Sequence, residues 1–185
     1  MITIRRYRKT DAPSVGVLIA DTYNEFNLAF APSQERAKLL GPFYFARSSQ
    51  QTHRDAIAQI LRAPLILVAE DNGKIVGVLR GGRKDKQRIV LQSLFVKKSH
   101  QRRGIGRKLV ARFERACQRQ GATVIRLLAT LYAIPFYTAL GYQRSTGMRI
   151  GPSFQGTGFP YQPMRKMLRV NQEKQNQCHS TLKPT

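Results

Sequence analysis

Residues 94–108 read LFVKKSHQRRGIGRK, and this stretch decides the fold because a short basic loop joins an apolar strand to a helix. The strand is predicted over Arg88 to Val96. The apolar spacing from Gly104 to Gln120 predicts an amphipathic helix that ends at Gly121. The chain therefore changes direction at this point and exposes the first turn of a helix.

The start of this helix has the properties of an anion-binding site. Backbone N–H groups in a first helical turn have no intrahelical acceptor, and the helix dipole adds positive potential. Glycines at 104 and 106 are predicted to let a phosphate approach these amides. Four cations surround them: Arg102, Arg103, Arg107 and Lys108. A pyrophosphate fits such a site, although a G-x-G at a helix start also occurs as a packing device.

Outward from this stretch, the periodicity predicts further strands and helices. The strands are predicted over Ile2–Tyr7, Leu65–Glu70, Ile75–Gly82, Ala122–Ala129, Tyr142–Ile150 and Tyr161–Val170. The helices are predicted over Ala12–Asn27, Ser33–Leu40, Gln50–Arg62 and Tyr132–Leu140. Asp71-Asn72-Gly73-Lys74 predicts a tight turn in an antiparallel meander. The aromatic residues Phe43 to Phe45 are interpreted as core, with the wall of a substrate pocket as the alternative.

Length and hydropathy place the chain among single-domain proteins. Its 185 residues suffice for one substantial core. No apolar run reaches the roughly 18 to 20 residues of a membrane span, and the N-terminal residues lack a secretory signal, so a cytoplasmic location without a membrane partner is expected. Residues 171–185 are polar and aperiodic, which predicts a disordered tail. The three histidines, His53, His100 and His179, form no cluster at metal-ligand spacing, so no metal site is predicted.

The charge of the chain is unusual, because 32 Lys and Arg residues against 10 Asp and Glu residues give a net charge of +22. Such a surface attracts polyanions. Two interpretations have equal weight: a partner such as nucleic acid, or a basic solvated surface with no specific partner. The sequence contains no RNA-binding signature, so nucleic acid remains one alternative. A homodimer is also compatible with the sequence.

Two segments resemble the signatures of the GNAT N-acetyltransferase superfamily. The arrangement LFVxxxxQRRGIGRxLV resembles the acetyl-CoA motif Q/R-x-x-G-x-G/A, and AIPFYTALGY at 133–142 resembles the second signature AxxFYxxxGF. The resemblance covers roughly residues 1 to 169 and implies one acetyltransferase domain at 1–170. The implied fold is α+β, an α/β sandwich with a mixed, mostly antiparallel sheet of about six to seven strands flanked by helices.

The resemblance also implies an activity and a set of site residues. The implied enzyme is an acetyl-CoA-dependent N-acetyltransferase that transfers the acetyl group directly to a small-molecule or peptide amine. The implied donor-binding residues are Leu94, Phe95, Val96, Arg102, Arg103, Gly104, Ile105, Gly106, Arg107 and Lys108. Tyr137 aligns with the tyrosine that protonates the departing thiolate of CoA in many relatives, a role that an ordinary phenol pKa near ~10 allows.

The chain departs from the family pattern at two places. Thr130 replaces an asparagine that contacts the cofactor in many relatives. No carboxylate lies on the strand Arg88 to Val96, nor at Ile125, where some relatives carry a general base. Asp21, Glu25 and Glu70 are weaker candidates, and a water chain or a neutral amine is the alternative. Two rival functions follow, namely an acyl-CoA-binding sensor without turnover and an acetyltransferase that associates with nucleic acid or ribosomes.

Overall fold

The computed structural model describes residues 1–28, 31–83, 88–154 and 159–168. The described strands are β1 Ile2–Arg6, β2 Leu65–Asp71, β3 Lys74–Arg83, β4 Ile89–Val96, β5 Val124–Thr130, β6 Gln143–Arg144, β7 Arg149–Gly151 and β8 Phe159–Met167. The α-helices are α1 Ala12–Phe26, α2 Ser33–Leu40, α3 Gln51–Ile60, α4 Ile105–Arg119 and α5 Ile134–Ala139. The predicted tail at 171–185 lies outside the described residues.

The eight strands form one mixed sheet in the order β1-β2-β3-β4-β5-β8, beyond which β6 and β7 each pair with β8. Strands β2 to β4 make the predicted antiparallel meander, with Asn72 and Gly73 both at positive φ in the turn between β2 and β3, and β1 pairs antiparallel with β2. The helix α4 connects β4 to β5, which run parallel. The mixed, mostly antiparallel sheet predicted from the sequence is thus confirmed.

The predicted strand Tyr142–Ile150 is wrong in one respect, because it contains two short strands, β6 and β7, rather than one. Both pair with β8, but between them the chain leaves the ladder. The reason lies in β8, where Pro163 has no N–H to donate. Its carbonyl accepts from the Ser145 amide, and the Gln162 side chain donates to the Thr146 carbonyl at 2.7 Å.

Helices cover both faces of the sheet. The residues of α4 that point inward, including Leu109 and Phe113, are fully buried against one face together with α5. Helices α1 to α3 cover the other face, where Val15 and Ile19 are fully buried. Of the three aromatic residues at 43–45, only Phe43 belongs to the core, where it is fully buried. Tyr44 and Phe45 are exposed by 55% and 47%. Among the described helices, none has both the length and the apolarity needed to cross a bilayer.

Candidate active site

The sheet opens between β4 and β5. These two strands pair only from Ile89 to Leu91 and from Ile125 to Leu127, although β4 continues to Val96 and β5 to Thr130. A bulge in the pairing of β3 with β4, between Arg80 and Gly81, adds one residue to β4 where it leaves β5. The two strands therefore diverge and leave a V-shaped opening in the middle of the sheet.

Main-chain groups of Leu94 and Val96 face this opening. The Lys97 amide donates to the Val76 carbonyl at 2.9 Å, so these two residues form a hydrogen-bonded pair of the β3–β4 ladder. Hydrogen-bonded and non-hydrogen-bonded pairs alternate along an antiparallel ladder. With Phe95 opposite Val78, the ladder turns the polar groups of Phe95 toward β3 and those of Leu94 and Val96 away from it.

Phe95 thus differs from its two neighbours. Its ring is only 8% exposed and packs on the face of the sheet that α1 covers, whereas Leu94 and Val96 pack on the α4 face. The Phe95 ring centroid lies 6.1 Å from that of Tyr23. We therefore expect no polar contact between Phe95 and a ligand in the opening. The side chain of Phe95, which was predicted among the donor-binding residues, holds β4 against α1.

The loop after β4 ends in a row of free amides. The Gln101 amide donates to the Lys98 carbonyl at 3.1 Å, and the next amide with an acceptor is that of Lys108, which donates to the Gly104 carbonyl at 3.0 Å. Within the described part of the chain, the backbone N–H groups of residues 102–107 have no protein acceptor. Arg102 and Gly104 both have positive φ, 61° and 77°, and such alternation turns successive amides toward one point. This geometry fits an anion with several oxygens, such as a pyrophosphate.

The two glycines of the loop have different surroundings. A Cβ atom on Gly104 would meet nothing within 4 Å, so a ligand has access to this part of the loop. A Cβ atom on Gly106 would lie 3.1 Å from the Phe136 ring and 3.8 Å from Leu94. Gly106 therefore makes room for Phe136, and its role in admitting a phosphate stays a prediction. Ile105 is 1% exposed, so only its amide can contact a ligand.

A chain of contacts crosses the mouth of the opening. The Gln101 side chain donates to the Val96 carbonyl at 3.0 Å and accepts from the Tyr132 hydroxyl at 3.1 Å. The Tyr132 ring stacks on Phe26 at the end of α1, with centroids 5.1 Å apart. Lys98 in the loop forms an ion pair with Glu25. Helix α1, the loop and the segment after β5 are therefore joined beside the outward carbonyl of Val96.

Tyr137 lies in the core behind the loop and is 6% exposed. Its ring contacts Phe136 and Tyr142, with centroid distances of 5.1 and 5.5 Å. Burial raises the pKa of the Tyr137 phenol well above its ordinary value. The group therefore stays protonated at neutral pH and can act as a proton donor but not as a base. Phe136 contacts both the Tyr137 ring and the position of a Cβ atom on Gly106, so it lies between Tyr137 and the first turn of α4.

The three carboxylates considered as general bases all have cationic partners. Asp21 pairs with Arg47 at 2.8 Å, Glu25 with Lys98, and Glu70 with Arg5 at 2.8 Å. Among the described residues, no group of three or more His, Cys, Asp or Glu side chains could hold a metal ion. His100 lies 3.4 Å from Asp71, and His53 contacts Ser48 and stacks on Phe45.

On the α1 face of the sheet, β5 and β8 carry an exposed basic area. Arg126 and Arg165 are direct partners across the two strands, and both side chains are exposed. Within the part of the chain that the structure describes, neither forms an ion pair. Their neighbours Leu128 and Met167 are exposed by 54% and 66%. This face borders the opening and offers positive charge and apolar surface to a molecule that approaches from the α1 side.

Several contacts of the site were not found from the sequence. Gln101, Tyr132 and Phe26 form the contacts across the mouth, and Phe136 fills the space at Gly106. Ser93 is the first β4 residue after the bulge, and its hydroxyl is buried without a hydrogen-bond partner among the described residues. The spacing of these residues carries no local signal. For Gln101 and Phe136 a signal existed, since Gln101 is the first residue of the Q/R-x-x-G-x-G/A match and Phe136 belongs to the AIPFYTALGY segment.

Comparison with known proteins gives one family and many similar structures. A family model described as "Acetyltransferase (GNAT) domain" matches residues 32–168. A GCN5-related N-acetyltransferase from Rhodopseudomonas palustris is 16% identical with a TM-score of 0.69, over 90% of this chain and 95% of that one. The ribosomal-protein-S18-alanine N-acetyltransferase from Escherichia coli is 19% identical with a TM-score of 0.63, and the match covers 94% of this chain and 97% of that one. A Thermoplasma acidophilum N-acetyltransferase in complex with coenzyme A is 15% identical with a TM-score of 0.63, and the match covers 91% of this chain and 99% of that one.

Proposed function

Because the chain belongs to the GNAT acetyltransferase family, we propose that acetyl-CoA binds in the opening between β4 and β5 and that the acceptor is an amine on a negatively charged molecule. The activity itself is that of an acetyl-CoA-dependent N-acetyltransferase. One observation carries the placement of the donor. The strands diverge beyond Leu91 and Leu127, and the free amides of 102–107 stand at the end of the same opening.

The donor-binding residues have separate tasks. The amides of 102–107 hold the pyrophosphate, with charge added by the exposed side chains of Arg102, Arg103 and Arg107. The outward main-chain groups of Leu94 and Val96 pair with the pantetheine arm, as an added strand would. The Val96 carbonyl already accepts from the Gln101 side chain, and its second lone pair is available to the arm. Bound acetyl-CoA supplies an activated thioester carbonyl.

Tyr137 is proposed as the residue that protonates the leaving thiolate. Its burial keeps the phenol protonated, and its ring packs on Phe136, whose ring contacts the first turn of α4 at Gly106. An outward amide of β4 polarises the thioester carbonyl, a contribution typically worth about 3 kcal/mol. Since the candidate carboxylates are engaged in ion pairs, the acceptor amine is proposed to lose its proton to water or to bind in the neutral form.

The proposed acceptor class rests on the face next to the opening. Arg126 and Arg165 lie side by side there without an ion pair among the described residues. A polycationic amine is repelled by such a face, whereas a carboxylate near the reacting amine is attracted. The structural relative from Escherichia coli is named for an alanine of a ribosomal protein. Peptide amino termini therefore belong among the acceptors to be tested.

The test measures thiol release from acetyl-CoA with matched acceptors. The first pair consists of two peptides that begin with alanine, one followed by three acidic residues and the other by three basic residues. The second pair is glutamate, which is acidic, and spermidine, which is basic. We expect kcat/KM for the acidic member of each pair to be at least tenfold higher, about 1.4 kcal/mol. The variant Arg126→Gln/Arg165→Gln should lose this preference while the KM for acetyl-CoA stays the same. A preference for basic acceptors contradicts the acceptor class.

The rival functions make different predictions. An acyl-CoA sensor binds CoA at micromolar concentration and releases no thiol with any amine of the panel. Association with nucleic acid is a property that can accompany catalysis. A homodimer and a cytoplasmic location also stay proposals. Light scattering on the purified chain tests the first, and cell fractionation tests the second.

A further inference from the structure

Helix α4 carries a row of cations along one side. Lys108, Arg112, Arg115 and Arg119 follow one another at intervals of four, three and four residues, and all four side chains are exposed. This spacing keeps the side chains on one face of a helix. At 1.5 Å per residue the row is about 16 Å long, with one positive charge roughly every 5 Å. These four residues are called the α4 basic stripe.

The charge of the stripe is not compensated within the protein. Glu114 is the only carboxylate on α4, and it turns inward to accept from Lys166 Nζ at 2.8 and 2.9 Å. Within the described ranges, no carboxylate forms an ion pair with a residue of the stripe. Arg112 donates to the Ile4 carbonyl, which leaves its positive charge in place.

The stripe continues into neighbouring elements. The contact of Arg112 with Ile4 brings α4 next to the edge strand β1. Side chains alternate along a strand, so Arg6 lies on the same face as Ile2 and Ile4, which pack against the α4 core. Arg6 is exposed. At its other end the stripe approaches the exposed Arg102 and Arg103 of the loop.

We propose that the α4 basic stripe binds the phosphate backbone of a nucleic acid. Three of its four residues are arginines, whose planar guanidinium groups match phosphate oxygens, and a linear row of charges suits a linear polyanion. An anionic membrane is the weaker candidate. Membrane-surface helices insert an apolar face, but the larger apolar side chains of α4 are each at most 1% exposed, namely Ile105, Leu109, Val110, Phe113 and Cys117. The stripe lies on the side of the sheet opposite to the proposed acceptor face, and of its four residues only Lys108 is also among the predicted donor-binding residues.

The test measures binding of a fluorescein-labelled single-stranded RNA of about 20 nucleotides by anisotropy, between about 50 and 300 mM KCl. Each phosphate neutralised on a single strand contributes about −0.7 to the slope of log K against log salt. The variant Arg112→Gln/Arg115→Gln/Arg119→Gln should therefore have a slope shallower by about 2. We also expect its affinity at about 100 mM KCl to fall at least tenfold. Its affinity for CoA should equal that of the wild type, which separates this test from that of the donor site.

The matched control removes the same charge from the other side of the sheet. Lys38→Gln/Arg54→Gln/Arg62→Gln changes three exposed cations on or next to α2 and α3, and its RNA affinity should stay within twofold of the wild type. If the triple variant of the stripe has a lowered melting temperature, the double variant Arg115→Gln/Arg119→Gln replaces it. The slope of log K against log salt should then be shallower by about 1.4. Equal losses in the stripe and control variants overturn the proposal. So does the absence of RNA binding at about 50 mM KCl, or tighter binding to phosphatidylserine vesicles than to RNA at equal phosphate concentration.

Discussion

The ring of Phe136 lies 3.1 Å from the position that a Cβ atom on Gly106 would occupy. These two residues belong to the two segments that resemble the family signatures, and they are thirty positions apart. Their contact holds α5 against the first turn of α4, where the free amides are located. The second signature therefore supports the loop with the free amides by packing on it.

This contact predicts the effect of Gly106→Val. A branched side chain there must displace the Phe136 ring, and overpacking of this kind typically costs about 1–3 kcal/mol. Because the loop shifts with the helix, CoA affinity should fall at least tenfold, about 1.4 kcal/mol. Calorimetric titration with CoA and urea unfolding measure both effects. The double variant Gly106→Val/Phe136→Ala should recover part of the affinity, and an unaltered CoA affinity in the single variant contradicts the packing explanation.

Tyr137→Phe tests the proton donor. The substitution keeps the ring contacts with Phe136 and Tyr142, so CoA affinity should change by less than twofold. Loss of a general acid typically slows turnover by about 100-fold or more. The matched control is Tyr142→Phe, which removes another buried hydroxyl of the same cluster and should leave kcat within twofold. Equal kcat for wild type and Tyr137→Phe removes Tyr137 from the chemistry.

Stability should fall at alkaline pH. Burial raises the pKa of both Tyr137 and Tyr142, whereas in the unfolded chain each phenol titrates near about 10. Above that pH the unfolded state loses protons that the folded state keeps, so the free energy of unfolding declines by about 1.4 kcal/mol per pH unit for each tyrosine. Below about pH 9 these groups contribute no pH dependence. Urea unfolding at several pH values measures the decline, which should be shallower in Tyr142→Phe; identical slopes contradict the assignment.

Asp11→Asn should destabilise the start of α1. The Asp11 carboxylate accepts from Arg5 Nη1 and Nη2 at 2.7 and 2.9 Å and from the Arg8 amide at 2.7 Å. Its side chain is 9% exposed, and hydrogen bonds to a charged group typically contribute about 1.5–3 kcal/mol. We expect a loss of that order in the free energy of unfolding at pH 7.

The Asp11 carboxylate also makes the free energy of unfolding depend on pH, but here stability is lost as the pH falls and not as it rises. The Arg5 hydrogen bonds lower the pKa of Asp11, so its contribution is present above about pH 4 and is lost as the pH falls through the folded-state pKa. The difference between wild type and Asp11→Asn should therefore shrink below about pH 4. A difference that does not depend on pH means that the charge of Asp11 contributes nothing.

The sequence predicted those features that depend on neighbouring residues. The helix α4, its terminal glycine and the tight turn between β2 and β3 follow from periodicity and turn chemistry, so they could be located from the sequence. The contact of Gln101 with Val96 and the pair of Glu114 with Lys166 depend on tertiary packing. The interruption between β6 and β7 depends on Pro163 in a strand that lies later in the chain. None of these has a local signal, which explains why the donor loop was predictable and the acceptor face was not.

A crystal structure with CoA bound tests the central claim most directly. We predict that pyrophosphate oxygens lie within about 3.2 Å of backbone nitrogens in residues 102–107. The pantetheine arm should lie in the opening and pair with main-chain groups of Leu94 and Val96. A pyrophosphate away from this loop, or a pantetheine arm outside the opening between β4 and β5, contradicts the account.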